Sequence, residues 1–252
     1  MSSGNSPFSS GRALVAALFL TIAISAKADF VQNGSFSSTT DGTGQLGYNT
    51  DATGWTTNGY NFLFAPGTAD TTGANGVDGI VKLWGPNDGS NNGLPVTSPD
   101  GGNFVAADGA YEVGAIQQTI DGLTPGSVYA VGFWWGAGQQ SNRSGPTTEQ
   151  WQVSLGSETL ATPVYDNANH GFSGWMYETL DFTATSGSEV LSFLSVGTPS
   201  GVPPFALLDG VSMEDPVVPE PGTFVMLAGG LALITVAAIF RPKRGRRDRT
   251  QS

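Results

Sequence analysis

Between residues 112 and 213 the chain repeatedly alternates apolar and polar residues over short segments, and turn-forming residues separate these segments. Trp151, Val153 and Leu155 alternate with glutamine and serine, which is the period of a strand with one buried face. Segment 127–135 follows a Pro-Gly turn and is apolar on both faces, so we expect a strand that is covered on both sides. Short strands at regular spacing predict an all-β fold built as a single β-sandwich.

Further strands are predicted along the same stretch and, more weakly, before it, at 62–64, 80–84, 112–120, 159–160, 175–182, 189–196 and 205–213. Because Trp134 and Trp135 are adjacent in a strand, one is expected in the core and the other on the opposite face. Segment 37–103 is rich in Gly, Asn, Thr and Asp and has little periodicity. Such a segment indicates either long functional loops or a poorly ordered linker.

The charge balance of residues 29–220 restricts the classes of partner. This part of the chain carries 20 acidic and 2 basic side chains, a formal charge of −18. Nucleic acids and anionic lipids need Lys and Arg to neutralise phosphate, so neither is an expected partner. The chain contains no cysteine, which excludes disulfides, a thiol nucleophile and a cysteine zinc site.

Catalytic patterns are weak in this sequence. His170 is the single histidine and lies in a predicted loop, and no Gly-x-Ser-x-Gly motif accompanies it, so we interpret it as a surface residue. Glycoside hydrolysis uses a pair of carboxylates, which could come from Glu112, Glu149 and Glu178. The simpler interpretation is that each of these glutamates is an ordinary solvent-exposed surface residue. The sequence therefore favours a non-catalytic protein.

Aromatic residues among Gly/Asn-rich loops are the candidate ligand contacts. Sugars stack on aromatic rings while amides and carboxylates bind their hydroxyl groups. Trp55, Tyr60 and Trp84 lie in such loops and are the predicted ligand-binding residues. The alternative for each ring is a packing role in the core.

The N-terminus has the pattern of a secretory signal peptide. Arg12 precedes an apolar stretch at 13–24, and Ala26-Lys27-Ala28 is a small-x-small cleavage site. We therefore expect residues 1–28 to be removed during export, which leaves Asp29 as the new N-terminus and 29–214 as the acidic sandwich domain.

The C-terminus has the pattern of a membrane anchor. A Pro-rich linker at 215–222 precedes an apolar segment at 223–240, which is long enough for a helix to span a bilayer core. The tail, 241–252, is basic and should stay in the cytoplasm with the domain outside. Its charged residues next to the span are Arg241, Lys243, Arg244, Arg246 and Arg247.

Pro219-Glu220-Pro221, followed by this span and these basic residues, resembles the PEP-CTERM sorting signal of bacterial envelope proteins. The resemblance implies that an exosortase-type membrane transpeptidase recognises Pro219, Glu220 and Pro221. It also implies an inner-membrane-anchored precursor that is passed to the cell surface or extracellular matrix.

A second resemblance spans residues 30–213. The segments 31–36, 123–129 and 206–212, together with Gly54-Trp55 and the Trp175 strand, are similar to galactose-binding-like jelly-roll domains, the fold of many carbohydrate-binding modules. This resemblance implies a structural calcium that Asp209 would help to hold, although Ser37 stands where the family often has a glutamate. No other cofactor is expected.

Together these patterns predict an exported envelope protein with a glycan-binding or adhesive matrix domain, whose partners are a polysaccharide, the membrane and the transpeptidase. Two alternatives stay open at this point. One is an envelope polysaccharide hydrolase, and the other is a structural surface protein without a ligand.

Overall fold

The computed structural model describes residues 29–215 of the chain. All secondary-structure elements within this range are β-strands, which confirms the all-β prediction. No helix among the described residues is long and apolar enough to cross a membrane. The predicted signal peptide, the sorting motif, the transmembrane segment and the basic tail lie outside the described residues.

The larger of the two main sheets has six antiparallel strands. They are β1 (Gly44–Gln45), β2 (Asn61–Phe64), β5 (Phe104–Asp108), β7 (Val128–Gln139), β11 (Met176–Thr183) and β13 (Pro204–Glu214). Their order across the sheet is β1-β2-β5-β13-β7-β11. The last strand of the domain therefore lies in the centre of this sheet, paired with both β5 and β7.

The second main sheet has five strands. They are β6 (Ile116–Asp121), β8 (Thr147–Leu155), β9 (Glu158–Ala161), β10 (Tyr165–Asn167) and β12 (Ser188–Thr198). The order is β10-β8-β12-β6, and β9 pairs with β8. A separate hairpin is formed by β3 (Ala74–Gly76) and β4 (Gly79–Val81).

The principal core lies between the two sheets, as expected of a β-sandwich. Alternate residues of β8, including Trp151 and Val153, are buried as the sequence period predicts. Phe133 of β7 meets Phe193 of β12 edge to face, with ring centroids 5.1 Å apart. Contacts of this kind join the inward faces of both sheets.

A second core covers part of the outer face of the six-stranded sheet. Segment 65–103 folds back over that face instead of forming a linker, and it contributes Leu83 and Leu94. Phe62 and Phe205 project from the sheet into the same cluster, with ring centroids 6.2 Å apart. This packing resolves the alternative left open for 37–103 in favour of ordered loops.

The structure corrects the start of one predicted strand and confirms the expectation for the two adjacent tryptophans. The strand expected at 112–120 begins later, at Ile116, because Glu112 has a positive φ of 43° and Gly114 packs closely against Gly59. The expectation for adjacent tryptophans is confirmed. Trp135 is 2 % exposed in the core, and Trp134 is half-buried on the opposite face of β7.

Candidate functional site

A cleft of about 470 Å³ lies at one end of the sandwich, where β2 and β13 begin and β5 and β7 end. We name it the loop-end cleft. Its polar and aromatic lining residues are Tyr60, Asp78, Asp108, Tyr111, Gln140 and Arg143, and Ser200, Gly201 and Pro203 close it on one side. Antiparallel pairing places these strand ends at the same edge, which brings four of the five lining segments together. Asp78 comes from the turn between β3 and β4.

Asp108, the last residue of β5, is the most constrained polar group of the cleft. It is 1 % exposed, and its Oδ1 accepts hydrogen bonds from the backbone N–H groups of Ala110 (2.8 Å) and Tyr111 (3.1 Å). Its Oδ2 has no hydrogen-bond partner among the described residues. Buried acceptors are nearly always paired, so this oxygen is suited to a donor from outside the domain.

The protonation of Asp108 follows from its surroundings. Burial raises the pKa of this carboxyl from 3.8 to about 6, and the two backbone N–H groups partly oppose the rise. At neutral pH the group is therefore an anionic acceptor, whereas in mild acid it becomes able to donate a proton.

Two tyrosines form an aromatic wall beside Asp108. Tyr111 is 43 % exposed and meets buried Tyr60 edge to face, with ring centroids 5.1 Å apart. Burial, and then the charge of Asp78, raise the pKa of Tyr60 to about 12. The same carboxylate raises the pKa of Tyr111, so both phenols are neutral donors at neutral pH. Tyr111 thus offers an exposed aromatic ring in the same cleft as a buried acceptor, and both groups can contribute to binding a sugar.

Arg143 supplies the cationic side of the cleft. Its backbone carbonyl accepts a hydrogen bond from Trp84 Nε1 at 2.8 Å, and Trp84 stacks on His170 with ring centroids 3.9 Å apart. His170 Nε2 in turn lies 2.9 Å from Ser144 Oγ. These contacts fix the backbone of the loop that carries Arg143 against the rest of the domain.

The three aromatic residues predicted as ligand contacts occupy different environments. Trp55 is 5 % exposed in the principal core, and its Nε1 donates to the carbonyl of Asn33. Tyr60 lines the loop-end cleft but belongs to the second core. Trp84 is half-buried and holds the Arg143 loop. The structure thus brings Tyr60 and Trp84 to the cleft region and leaves Trp55 in the interior.

Sequence reasoning did not identify Asp108, Tyr111 or Arg143 as site residues. Asp108 follows the apolar residues 104–107, so its position at a strand end was visible in the sequence. A buried carboxylate at the end of a strand is a recognisable signal for a site. Nothing in the local sequence connects it with Arg143, which is brought close by the pairing of β13 with β5 and β7.

Asp209 was expected to help hold a structural calcium ion. It is fully buried in β13, and neither of its carboxylate oxygens has a hydrogen-bond partner within residues 29–215. Burial raises its pKa to about 7. The Ser98 hydroxyl and the Gly210 N–H lie near the carboxylate and partly oppose the rise, although neither meets hydrogen-bond geometry, and the charge of Asp100 adds to it. The hydroxyl of Ser98 is also buried without a partner.

These oxygens fit a hard cation, because an ion bound there would satisfy Asp209 and Ser98 together. No group of three or more His, Cys, Asp and Glu side chains in the described range could hold a metal ion. A calcium site at Asp209 would therefore need backbone carbonyls or water to complete its ligand set.

Comparison with known proteins gives distant relatives. No family model matches the chain. The chain is 28 % identical over 216 residues to halomucin of Haloquadratum walsbyi, a match that covers 82 % of this chain but 2 % of halomucin. It therefore spans a very small part of that curated relative.

Several solved structures are similar to this chain, with low TM-scores and low sequence identity. TmCBM61, solved in complex with β-1,4-galactotriose, has a TM-score of 0.40 and 16 % identity over 75 % of this chain and 99 % of its own. The K1 cleaved adhesin domain of Lys-gingipain from Porphyromonas gingivalis has a TM-score of 0.41 and 14 % identity over 72 % and 96 %. The CBM22-1 xylan-binding domain from Paenibacillus barcinonensis has a TM-score of 0.37 and 11 % identity over 77 % and 97 %. At these values the relatives do not indicate a ligand for this chain.

Proposed function

We propose that residues 29–214 form a non-catalytic glycan-binding domain of an exported bacterial envelope protein, and that the glycan binds in the loop-end cleft. The observation that carries the proposal is the unpaired Oδ2 of buried Asp108 beside the exposed ring of Tyr111. A sugar hydroxyl would satisfy that oxygen while the sugar ring packs on Tyr111.

The charges of the cleft restrict the glycan. Asp78 and Asp108 face it together with Arg143, so its two carboxylates exceed its one guanidinium. Neutral hydroxyl groups can pair with all three side chains, whereas a third carboxylate, from a uronic acid, would meet repulsion. The proposed ligand is therefore a neutral saccharide.

The same proposal includes the route to the surface. A signal peptide at 1–28 and the anchor at 223–240 would give a membrane-held precursor with the domain outside the cytoplasm. An exosortase-type transpeptidase would then act near Pro219, Glu220 and Pro221 and release the domain to the surface or extracellular matrix. Proline fixes its own φ and keeps the preceding residue extended, which suits Glu220 to a protease cleft.

One observation favours a second candidate, an envelope polysaccharide hydrolase. The pKa of Asp108 is raised to about 6, and Asp78 is a second carboxylate in the same cleft. An acid with a raised pKa beside a carboxylate is the arrangement used in glycoside hydrolysis.

The Asp108→Asn variant separates the two candidates. A binding domain should lose affinity for an immobilised neutral polysaccharide by about tenfold or more, since the anionic acceptor is removed. Tyr111→Ala should weaken binding similarly, and Asp121→Asn, which changes an exposed carboxylate at the end of β6, should have no effect.

The assay measures the bound fraction against protein concentration and, in parallel, the release of reducing ends. Unchanged binding by both Asp108→Asn and Tyr111→Ala would refute the cleft as the glycan site. Release of reducing ends that Asp108→Asn abolishes while binding persists would identify a hydrolase instead.

A further inference from the structure

The domain contains two Asn-x-Ser sequences, and their surroundings differ. They are Asn33-Gly34-Ser35, which we name the first motif, and Asn142-Arg143-Ser144, which we name the second motif. In an exported protein this sequence is an acceptor for N-linked glycosylation, provided that x is not proline and that the asparagine lies in a surface loop. The sequence alone also occurs by chance, so the environment of each asparagine decides whether it can accept a glycan.

The asparagine of the first motif is fully engaged in the fold. Its Nδ2 donates to the carbonyls of Ser38 and Thr53, both at 2.9 Å, and its Oδ1 accepts from the Ser38 N–H at 3.0 Å. A sugar on Nδ2 would replace one of the two donated hydrogens and would need the space that these carbonyl groups occupy. The folded domain therefore disfavours Asn33 as an acceptor.

The asparagine of the second motif is open to solvent. It lies in the loop between β7 and β8, at residues 140–146, where Asn142, Arg143 and Ser144 are all exposed. The carboxamide of Asn142 makes no hydrogen bond within the described part of the chain. Its Nδ2 can therefore be approached and modified without the loss of a contact that holds the domain together.

Backbone conformation does not distinguish the two motifs. Asn33 has a φ of +54° and Asn142 has a φ of +65°, so both asparagines adopt the left-handed conformation. Asparagine tolerates this conformation better than most residues do. The two motifs therefore differ in the engagement of the asparagine side chain, which makes them a matched pair within one protein.

The backbone on both sides of Asn142 is held in place. The N–H of Ser141 donates to the carbonyl of Lys82 at 2.8 Å, and the carbonyl of Arg143 accepts from Trp84 Nε1 at 2.8 Å. These bonds keep the loop fixed to the domain while Asn142 between them stays exposed. The exposure of its amide is thus a property of the folded structure.

We infer that Asn142 is an N-glycosylation site of the exported protein and that Asn33 is not. The inference requires export, which is part of the proposed function, but it does not require the loop-end cleft to bind a glycan. Since Arg143 lines that cleft and directly follows Asn142, the attached glycan would stand beside it.

The reaction is a group transfer to the amide nitrogen. The co-reactant is a sugar carried on a lipid diphosphate, and an oligosaccharyltransferase of the envelope membrane would catalyse the step. A bond forms between Asn142 Nδ2 and the anomeric carbon of the sugar, and the bond from that carbon to the diphosphate oxygen breaks. One amide proton leaves with the lipid diphosphate. The motif also needs the Ser144 hydroxyl, which lies 2.9 Å from His170 Nε2 but is exposed and can rotate away.

The test uses the full chain recovered from the cells that produce it. Cleavage before aspartate gives peptide 29–40, which contains Asn33, and peptide 121–165, which contains Asn142. Mass spectrometry with fragmentation that keeps glycans attached should place a sugar mass on Asn142 and none on peptide 29–40. Labelling of free α-amino groups before digestion shows separately whether the chain begins at Asp29.

Three variants made in the same cells test the motif itself. Asn142→Gln and Ser144→Ala each destroy the second motif and should abolish the sugar mass on peptide 121–165. Ser144→Thr keeps a hydroxyl in the required position and is the matched control, which should retain the sugar. Thermal unfolding of the variants checks that each one folds, as expected for substitutions at exposed positions.

The outcomes separate this inference from the proposed export. Chains that begin at Asp29 and give peptide 121–165 only at its unmodified mass would overturn the inference and leave export intact. Chains that keep residues 1–28 and carry no sugar would overturn both. A sugar found on Asn33, or one that persists on peptide 121–165 in Asn142→Gln, would also overturn the inference, because the open amide of Asn142 would not be what selects the acceptor.

Discussion

At the scale of single residues, the largest correction concerns Glu149. The sequence suggested a solvent-exposed carboxylate, and the structure buries it. Its side chain is fully buried, with Oε1 bonded to Thr147 Oγ1 and Oε2 without a hydrogen-bond partner in the described part of the chain. Burial raises its pKa from 4.5 to about 8, and the charge of Asp166 adds to the rise. The sequence contained an indication of this burial, because Glu149 falls on the same face of β8 as the inward residues Trp151 and Val153.

This burial makes the stability of the domain depend on pH. Below about pH 4.5 the carboxyl is protonated in both states, and above about pH 8 it is ionised in both. Between these values the unfolded chain releases the proton and the folded chain keeps it, so the free energy of unfolding falls by about 1.4 kcal/mol per pH unit from this group.

Glu149→Gln should remove that fall, because the amide does not titrate. The difference in unfolding free energy between the variant and the unmodified protein should therefore grow in favour of the variant from pH 5 to pH 8 and then level off. Urea unfolding at several pH values measures it. A constant difference across that range would contradict the assigned protonation.

At the scale of elements, segment 65–103 packs on the six-stranded sheet although its sequence has little hydrophobic periodicity. Leu83 is 1 % exposed and packs in the second core, and its backbone N–H donates to the carbonyl of Ala69. Val96 lies in the same segment but is 64 % exposed. The segment therefore contributes to the stability of the six-stranded sheet through a few buried side chains.

Leu83→Ala should lower the free energy of unfolding by about 2–5 kcal/mol, the cost of a cavity at a buried leucine. Val96→Ala, the matched control, should change it by less than about 0.5 kcal/mol. Denaturant unfolding of the two variants gives both values. Equal stability of both variants would show that the segment does not pack on the sheet as described.

At the scale of the whole molecule, the first and last described strand positions meet. Asp29 forms a bridge with Glu214, and the N–H of Phe30 donates to the carbonyl of Met213 at 3.0 Å. Asp29 Oδ1 also accepts from the N–H of Met213 at 2.9 Å. The residue expected to become the mature N-terminus is thus bonded to the end of the domain.

Processing of the two flanking segments gives a prediction for the whole chain. Protein recovered from intact cells should begin at Asp29, since cleavage follows the small-x-small site. On the proposed sorting route it should end near residue 220, because the transpeptidase would cut at the sorting motif. Intact mass and terminal peptide mapping measure both ends. Recovery of chains that keep residues 241–252 would contradict sorting and indicate an ordinary single-span protein.

The sequence by itself determined the all-β class and most strands of the sandwich, because alternation with a period of two is a local property. β8 and β11 were predicted in this way, and the placement of Trp134 and Trp135 on opposite faces followed from the same rule. That Trp135 is the one in the core came from the structure. Charge and cysteine content are also independent of folding. They made nucleic acid an unexpected partner and left no cysteine in this sequence for thiol chemistry.

The tertiary structure decided which residues meet. Asp108, Tyr111 and Arg143 form one cleft because β13 inserts between β5 and β7, and no local pattern encodes that pairing. Trp55 and Trp84 have similar loop sequences, yet one is enclosed by the principal core and the other holds a loop. Burial depends on contacts between residues far apart in the chain, and for that reason the site required the fold.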